Sequence, residues 1–282
     1  MKKLALLSLL SSGIISSQSF AGMVDLASAE RYTIAVGSTN AAFGTLGLGS
    51  AVDIWGNVAA TNNLTIGAGA IIRGDACSKY VNADASVTIT GDKNVVGQCS
   101  NINELGADIA TASQQAANLA DQYVFGDIES TKSVTISGHQ AYKVGNLHLQ
   151  TGEYFTVMGN SNDFAVFNIS GLASIGSGAG ILLKGGILAK NVIFNFLDNA
   201  GMTNFIFGGA IINGTFLSNT RSFQLGDGAT LNNTRFLTNA SIQANVQTVK
   251  FGGTTTVPEP STLLLILIVL SFLLFRTNRK HQ

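Results

Sequence analysis

A short motif, hydrophobic-Gly-x-Gly-small, constrains this chain more than any other feature. It returns four times, as Leu46-Gly47-Leu48-Gly49-Ser50, Ile66-Gly67-Ala68-Gly69-Ala70, Ile175-Gly176-Ser177-Gly178-Ala179 and Leu225-Gly226-Asp227-Gly228-Ala229. Short runs of strand formers stand beside it, as in Asn63-Leu64-Thr65-Ile66 and Ser222-Phe223-Gln224-Leu225. Glycine supplies the positive φ of a tight corner, and the runs alternate inward apolar with outward polar side chains. Ser86-Val87-Thr88-Ile89-Thr90-Gly91 and Ser133-Val134-Thr135-Ile136-Ser137-Gly138 form a second repeat. The first two glycine motifs lie twenty residues apart, a length that suits one coil of a β-solenoid. The only two prolines lie beyond residue 257, so every interior strand keeps its backbone donors. A dinucleotide-binding reading of the glycines fails, because no amphipathic helix follows them.

One segment breaks the β pattern. Ile102, Leu105, Ile109, Ala112, Ala116, Leu119 and Tyr123 step by three and four, which predicts one helix over about 101–123. Asn101 is placed to cap it, with Glu104 able to bond back. The small, alanine-rich stripe suits close packing against a sheet.

The ends of the chain carry targeting signals. Lys2 and Lys3, an apolar stretch from Leu4 to Ile15 and Ser19-Phe20-Ala21 have the layout of a secretory signal peptide over 1–21, cleaved after Ala21. An exported domain of residues 22–253 would follow. In such a protein the two cysteines, Cys77 and Cys99, can pair and close a loop of about 22 residues, contributing roughly 3 kcal/mol in the chain-entropy model. The tail, 254–282, holds Pro258-Glu259-Pro260, an apolar run over 263–275 and the cations Arg276, Arg279 and Lys280. At ~1.5 Å per residue that run makes a short transmembrane helix, with the cations holding its end inside. This tail resembles the PEP-CTERM sorting signal of Gram-negative bacteria. The resemblance covers about the last 25 residues and implies that an exosortase is a partner, cutting near Pro258 to Pro260. It also implies export across the inner membrane, a transient anchor there, then release to the cell surface or a biofilm matrix rich in exopolysaccharide.

Function classes narrow further on charge. Only 11% of residues are charged and the formal net charge is +0, which excludes a basic nucleic-acid binder. His139 and His148 lie far from the cysteines in sequence, so no metal site or other cofactor is expected. A polysaccharide-cleaving β-helix would need paired or clustered carboxylates. The candidates Asp75, Asp92, Asp198 and Asp227 have no acid-x-acid pattern and read as corner residues.

From residue 145 onward the chain resembles the ice-binding-like domain family. The resemblance rests on Gly152-Glu153-Tyr154, Asp163-Phe164-Ala165-Val166-Phe167-Asn168-Ile169, Ala189-Lys190-Asn191-Val192-Ile193-Phe194-Asn195-Phe196, Ile212-Asn213-Gly214-Thr215-Phe216-Leu217 and the run from Gly226 to Asn233. It covers about residues 145–248 well and 30–140 more loosely. Asn233 and Thr234 depart from the family's usual Gly-Arg. Asn191 to Phe196 is also similar to the choice-of-anchor A domains, the rival family. The resemblance implies a right-handed β-solenoid of triangular cross-section with the helix along one side. Ice contact would need a flat face of regularly spaced Thr, Ser or Ala, for which Thr88, Thr90, Thr135 and Ser137 have the right alternation. The main expectation is a non-catalytic adhesion or binding module of the surface or matrix. The alternatives are an ice-binding protein and a polysaccharide-active enzyme.

Overall fold

The computed structural model describes residues 24–38, 44–95, 99, 102–120, 122–197, 203–206 and 208–251. The signal segment, with Ala21, and the sorting tail, with Pro258, Glu259, Pro260, Arg276, Arg279 and Lys280, lie outside the described residues. So does the transmembrane run 263–275. Among the described residues no helix is long and apolar enough to cross a membrane.

The fold is mainly β, with short parallel strands wound into stacked coils of three faces. On the first face lie Tyr32–Val36, Thr234–Thr238, Gly214–Ser218, Val192–Phe196 and Phe164–Ile169 in pairing order. The second face holds Thr45–Leu48, Ser241–Ala244, Ser222–Leu225, Thr203–Ile206 and Ala173–Ile175. Asn57–Ile66 and His139–Leu149 run through the corner between these two faces, and in the first the register shifts between Ala60 and Asn63. The third face is one sheet of five strands and one of three, with Gly180 of the smaller sheet also bridged to Ile211.

All four glycine motifs fall at the corner between the second and third faces. Gly69, Gly178 and Gly228 have φ of +70°, +68° and +76° there, and in the first motif the following Ala51 takes the positive φ instead. The coils do not stack in sequence order. The first coil, Tyr32 to Trp55, lies mid-body, flanked by Asn57–Ile66 on one side and by Thr234–Thr238 with Ser241–Ala244 on the other.

Because parallel strands stay in register, identical inward positions stack. Tyr142, Phe167, Phe194, Phe216 and Phe236 form one column, with successive ring centroids 5.0, 5.1, 5.2 and 5.0 Å apart. Beyond the mid-body seam the column continues as Ile34, Val58 and Ala76, so side-chain size falls along the interior.

A buried arginine staples the corner between the first and second faces. Arg221, fully buried, donates through Nε to Leu197 O at 2.8 Å and through Nη2 to Ser170 O at 2.9 Å. Its Nη1 reaches Gly171 O. Thr238 Oγ1 donates to the Arg221 carbonyl at 2.7 Å, so the contacts run through successive coils.

The helix, α1, spans Leu105–Ala117 and is shorter than the expected 101–123. Glu104 occupies the N-cap position without a side-chain cap bond, and Tyr123 opens the strand Tyr123–Glu129. The three-four stripe overran the helix because Ile102 and Leu119 pack into the same cluster from turns at either end. That cluster joins Leu105, Ile109, Ala112 and Ala116 to the outer side of the first face, at Val166, Ile193, Leu217 and Leu237. Side-chain amides fix the docking. Asn195 Nδ2 donates to Ser113 O at 3.0 Å, Asn168 Nδ2 to Ala116 O at 2.8 Å and Asn239 Nδ2 to Gly106 O at 2.7 Å. Cys77, on the end coil, and Cys99, ahead of α1, are joined with their sulfurs 2.06 Å apart. A cross-link closing about 22 residues contributes roughly 3 kcal/mol by restricting the unfolded chain.

Candidate binding faces

Docking of α1 covers the first face, so recognition is left to the other two. On both, outward residues fall at the same register from coil to coil, and each face displays straight rows along the body axis, spaced ~4.8 Å.

The expected ice strip does not assemble. Thr88, with Thr90 just beyond its strand, lies at one end of the third face. Thr135, with Ser137 just beyond its strand, lies at the opposite end. All four are exposed, but between them stand Arg73, Trp55 and Lys250 in one row and Lys184 and Met158 in another. The repeated Thr-Ile-Thr/Ser phrases therefore mark the two outermost coils, and local alternation alone could not reveal that distance.

The second face has the regularity that strip lacks. Asn63, Thr45, Ser241 and Ser222 form one row, in which the hydroxyls of Ser222 and Ser241 are 2.8 Å apart. Thr65, Gly47, Gln243 and Gln224 form the next. Over these four coils neither row contains a charge; the register continues the second row through Ser174 and His148 to Glu129. Gly47 keeps the second row level: a Cβ there would stand 2.2 Å from Oε1 of Gln243, whose side chain lies across the glycine. A signal for these rows was present in the sequence, where Ser222-Phe223-Gln224-Leu225 recurs as Ser241-Ile242-Gln243-Ala244.

Of the candidate acids, Asp75 serves the backbone with its carboxylate. Asp75 Oδ1 accepts the Asp92 N–H at 2.9 Å, and Asn57 Oδ1 accepts the Asp75 N–H at 2.9 Å, one coil earlier. Asp227 sits exposed at a glycine corner, and Asp198 lies outside the described residues. Among the described residues no three His, Cys, Asp or Glu side chains come together as a metal site.

One open depression lies where the third face turns into the first, lined by His139, Asp163, Phe164, Leu188, Lys190 and Asn191. Asp163 organises it, accepting the Asn160 N–H at 2.6 Å and the Gly138 N–H at 2.8 Å. These backbone donors hold its carboxyl below the usual carboxylate range. A depressed folded pKa makes the unfolded chain the first to bind the proton on acidification. The contribution of Asp163 is therefore complete above about pH 4 and is lost as pH falls through the lower folded value. Asp163→Asn should flatten the acid limb of a melting-temperature profile and leave its neutral limb parallel to that of the parent; an unchanged acid slope would contradict this role.

No family model matches the chain, and no curated protein matches it. Solved structures do. An ice-binding protein from an Antarctic Flavobacteriaceae bacterium is similar over 83% of this chain and 49% of its own, with TM-score 0.59 and 15% identity. One from the Antarctic ascomycete Antarctomyces psychrotrophicus is similar over 82% of this chain and 99% of its own, with TM-score 0.54 and 17% identity. An Arctic yeast ice-binding protein, described as having antifreeze activity, is similar over 85% and 97%, with TM-score 0.53 and 18% identity. The chain shares their fold. At these identities the likeness concerns backbone architecture, and the uncharged rows of the second face are features of this chain's own residues.

Proposed function

We propose that the protein is an exported, non-catalytic ice-binding protein that meets ice through its second face. One observation carries the reading: two adjacent rows of Ser, Thr, Asn, Gln and Gly run uncharged across consecutive coils. Ordering water into a lattice needs donors and acceptors at a fixed spacing on a rigid support. A parallel sheet backed by stacked phenylalanines is such a support. Charged groups hold their own hydration shells, which argues against the row of Arg73, Trp55 and Lys250. The shared fold supports the reading, since the similar structures are ice-binding proteins.

The finer parts of the proposal rest on the sequence alone. They are the right-handed winding, a signal peptide cleaved after Ala21, and a tail sorted by an exosortase at Pro258 to Pro260. Transient anchoring by residues 263–275, with Arg276, Arg279 and Lys280 inside, then precedes a place at the cell surface or in the matrix. A role there as an adhesion module follows from that tail and not from the second face.

Ice binding is tested by thermal hysteresis and crystal shape. Gln224→Tyr, which raises a bulky ring on the second row beside Gln243, should cut hysteresis roughly tenfold, a loss on the scale of disrupting a principal contact at other interfaces. Thr88→Tyr and Thr135→Tyr, on the third face, should leave it within about twofold of the parent. Absent hysteresis in the parent protein, or a loss with Thr88→Tyr but not with Gln224→Tyr, would reject this reading.

A further inference from the structure

The third face carries a cluster that ice contact leaves unused. Trp55, the single tryptophan of the chain, is 44% exposed on the middle strand of the five-stranded sheet of this face. Strand register sets Arg73 on one neighbouring coil and Lys250 on the other. Arg73 Cζ lies 4.6 Å and Lys250 Nζ 4.5 Å from the indole centroid. Attraction to the ring quadrupole holds both long side chains at the ring, where an isolated surface cation would sweep through solvent. Asp53 completes the arrangement, accepting Arg73 Nε at 2.9 Å, Arg73 Nη2 at 3.2 Å and the indole Nε1–H at 3.3 Å.

Two cationic groups remain available. Asp53 occupies the Nε and Nη2 side of the guanidinium, leaving the Nη1 donors. Among the described residues the Arg73–Asp53 contact is the salt bridge found, and no carboxylate stands at Lys250. The cluster thus offers the Lys250 ammonium and the Nη1 side of the Asp53-paired Arg73 with an aromatic edge between them, and Thr248 lies in the adjacent row beside Asp53. We propose that Trp55, Arg73 and Lys250 form a binding site for an acidic polysaccharide, with its sugar carboxylates on Lys250 and Arg73 and a pyranose ring against the indole edge. Carboxylates on alternate sugars of an extended chain suit two cations set along the body axis on either side of a ring. A nucleic acid fits less well, because its binding is dominated by many Lys and Arg contacts to phosphates and this cluster has one of each. The site stands apart from the second face and does not depend on ice binding.

The single tryptophan makes the test direct. Titrating the full-length protein, in non-ionic detergent, with polygalacturonate should change Trp55 emission saturably, while neutral dextran leaves it unchanged. Lys250→Gln should weaken the affinity roughly tenfold, and raising salt from about 50 to about 500 mM should weaken it further. Asp53→Asn retains an acceptor for the indole but releases the guanidinium fork, so it should tighten binding several-fold. A merely structural Asp53 would produce no such gain. An emission change equal with dextran, indifference to Lys250→Gln, or no tightening with Asp53→Asn would overturn the assignment. Stronger competition by duplex DNA or by phosphatidylglycerol vesicles than by polygalacturonate would overturn it in favour of those partners. Both substituted side chains are on the surface, so an unchanged circular dichroism spectrum is expected for each variant. Polygalacturonate binding without thermal hysteresis would leave this site standing and remove only the ice reading.

Discussion

Replacing Arg221 with Met should lower the stability of the domain by about 3 to 5 kcal/mol, a loss on the scale of breaking a buried charged network. The guanidinium is fully buried and serves the carbonyls of Ser170, Gly171 and Leu197 at a corner shared by successive coils. Methionine fills most of the volume but donates nothing. Three carbonyls would then stay desolvated without partners, at ~1 to 3 kcal/mol each, less what local shifts and entering water recover. Lysine should restore little, because an ammonium on a flexible stem cannot meet acceptors on two coils with a planar fork. Urea unfolding monitored by circular dichroism gives the measurement, with an unchanged m-value showing that the native state alone was affected. A loss under about 1 kcal/mol would show that the corner closes without the arginine. Arg73→Met is the contrasting control: its ion pair is solvent-exposed, and such pairs contribute about 1 kcal/mol or less.

Phe216→Ala should cost a similar 3 to 5 kcal/mol, for a different reason. Phe216 stands in the middle of the aromatic column, 5.2 Å from Phe194 and 5.0 Å from Phe236, with Phe196 and Phe223 at 5.9 and 6.5 Å. The backbone around it is held by parallel pairing on both sides, to Val192–Phe196 and to Thr234–Thr238, so the coils cannot collapse into the space. A cavity remains, and its lining loses dispersion contacts outright. Phe216→Leu should cost less than half as much. Tyr123→Ala, at 55% exposure on the terminal coil, should fall below about 1 kcal/mol in the same melting series. Equal losses for Phe216 and Tyr123 would contradict the column as the source of stability.

The features legible in the sequence were those set by local geometry. Glycine at positions such as Gly69 and Gly228 answers a backbone need, so the corners could be read from four motifs alone. The alternation in Ser222–Leu225 declared which side chains face inward. The helical stripe named the residues that pack on the first face from Ile102 to Leu119, but it overran the hydrogen-bonded helix and took in Tyr123, which is exposed on the next strand. What could not be read was stacking order. Tyr32–Val36 pairs with Thr234–Thr238 across some two hundred residues, and no local pattern encodes that partnership. The ice strip failed for this reason, since Thr88 and Thr135 share a face but not a neighbourhood. Arg221 was missed because the type of residue that staples this corner is most often found in solvent. Trp55 draws its surroundings from Arg73, eighteen residues on, and Lys250, nearly two hundred on.

The mid-body position of the first coil also sets a timetable. As the chain emerges from its N-terminus, the coils from Tyr32 to Ala83 can assemble on one another, but the edge of Tyr32–Val36 has no partner until Thr234–Thr238 arrives. An open strand edge invites pairing with other chains, and contacts of such long separation form slowly. These early coils must therefore survive as an unfinished sheet while the remainder is delivered. Closure of the seam is the event that converts two half-stacks into one body, and its speed, more than the strength of any single contact, governs how much chain is lost to aggregation on the way.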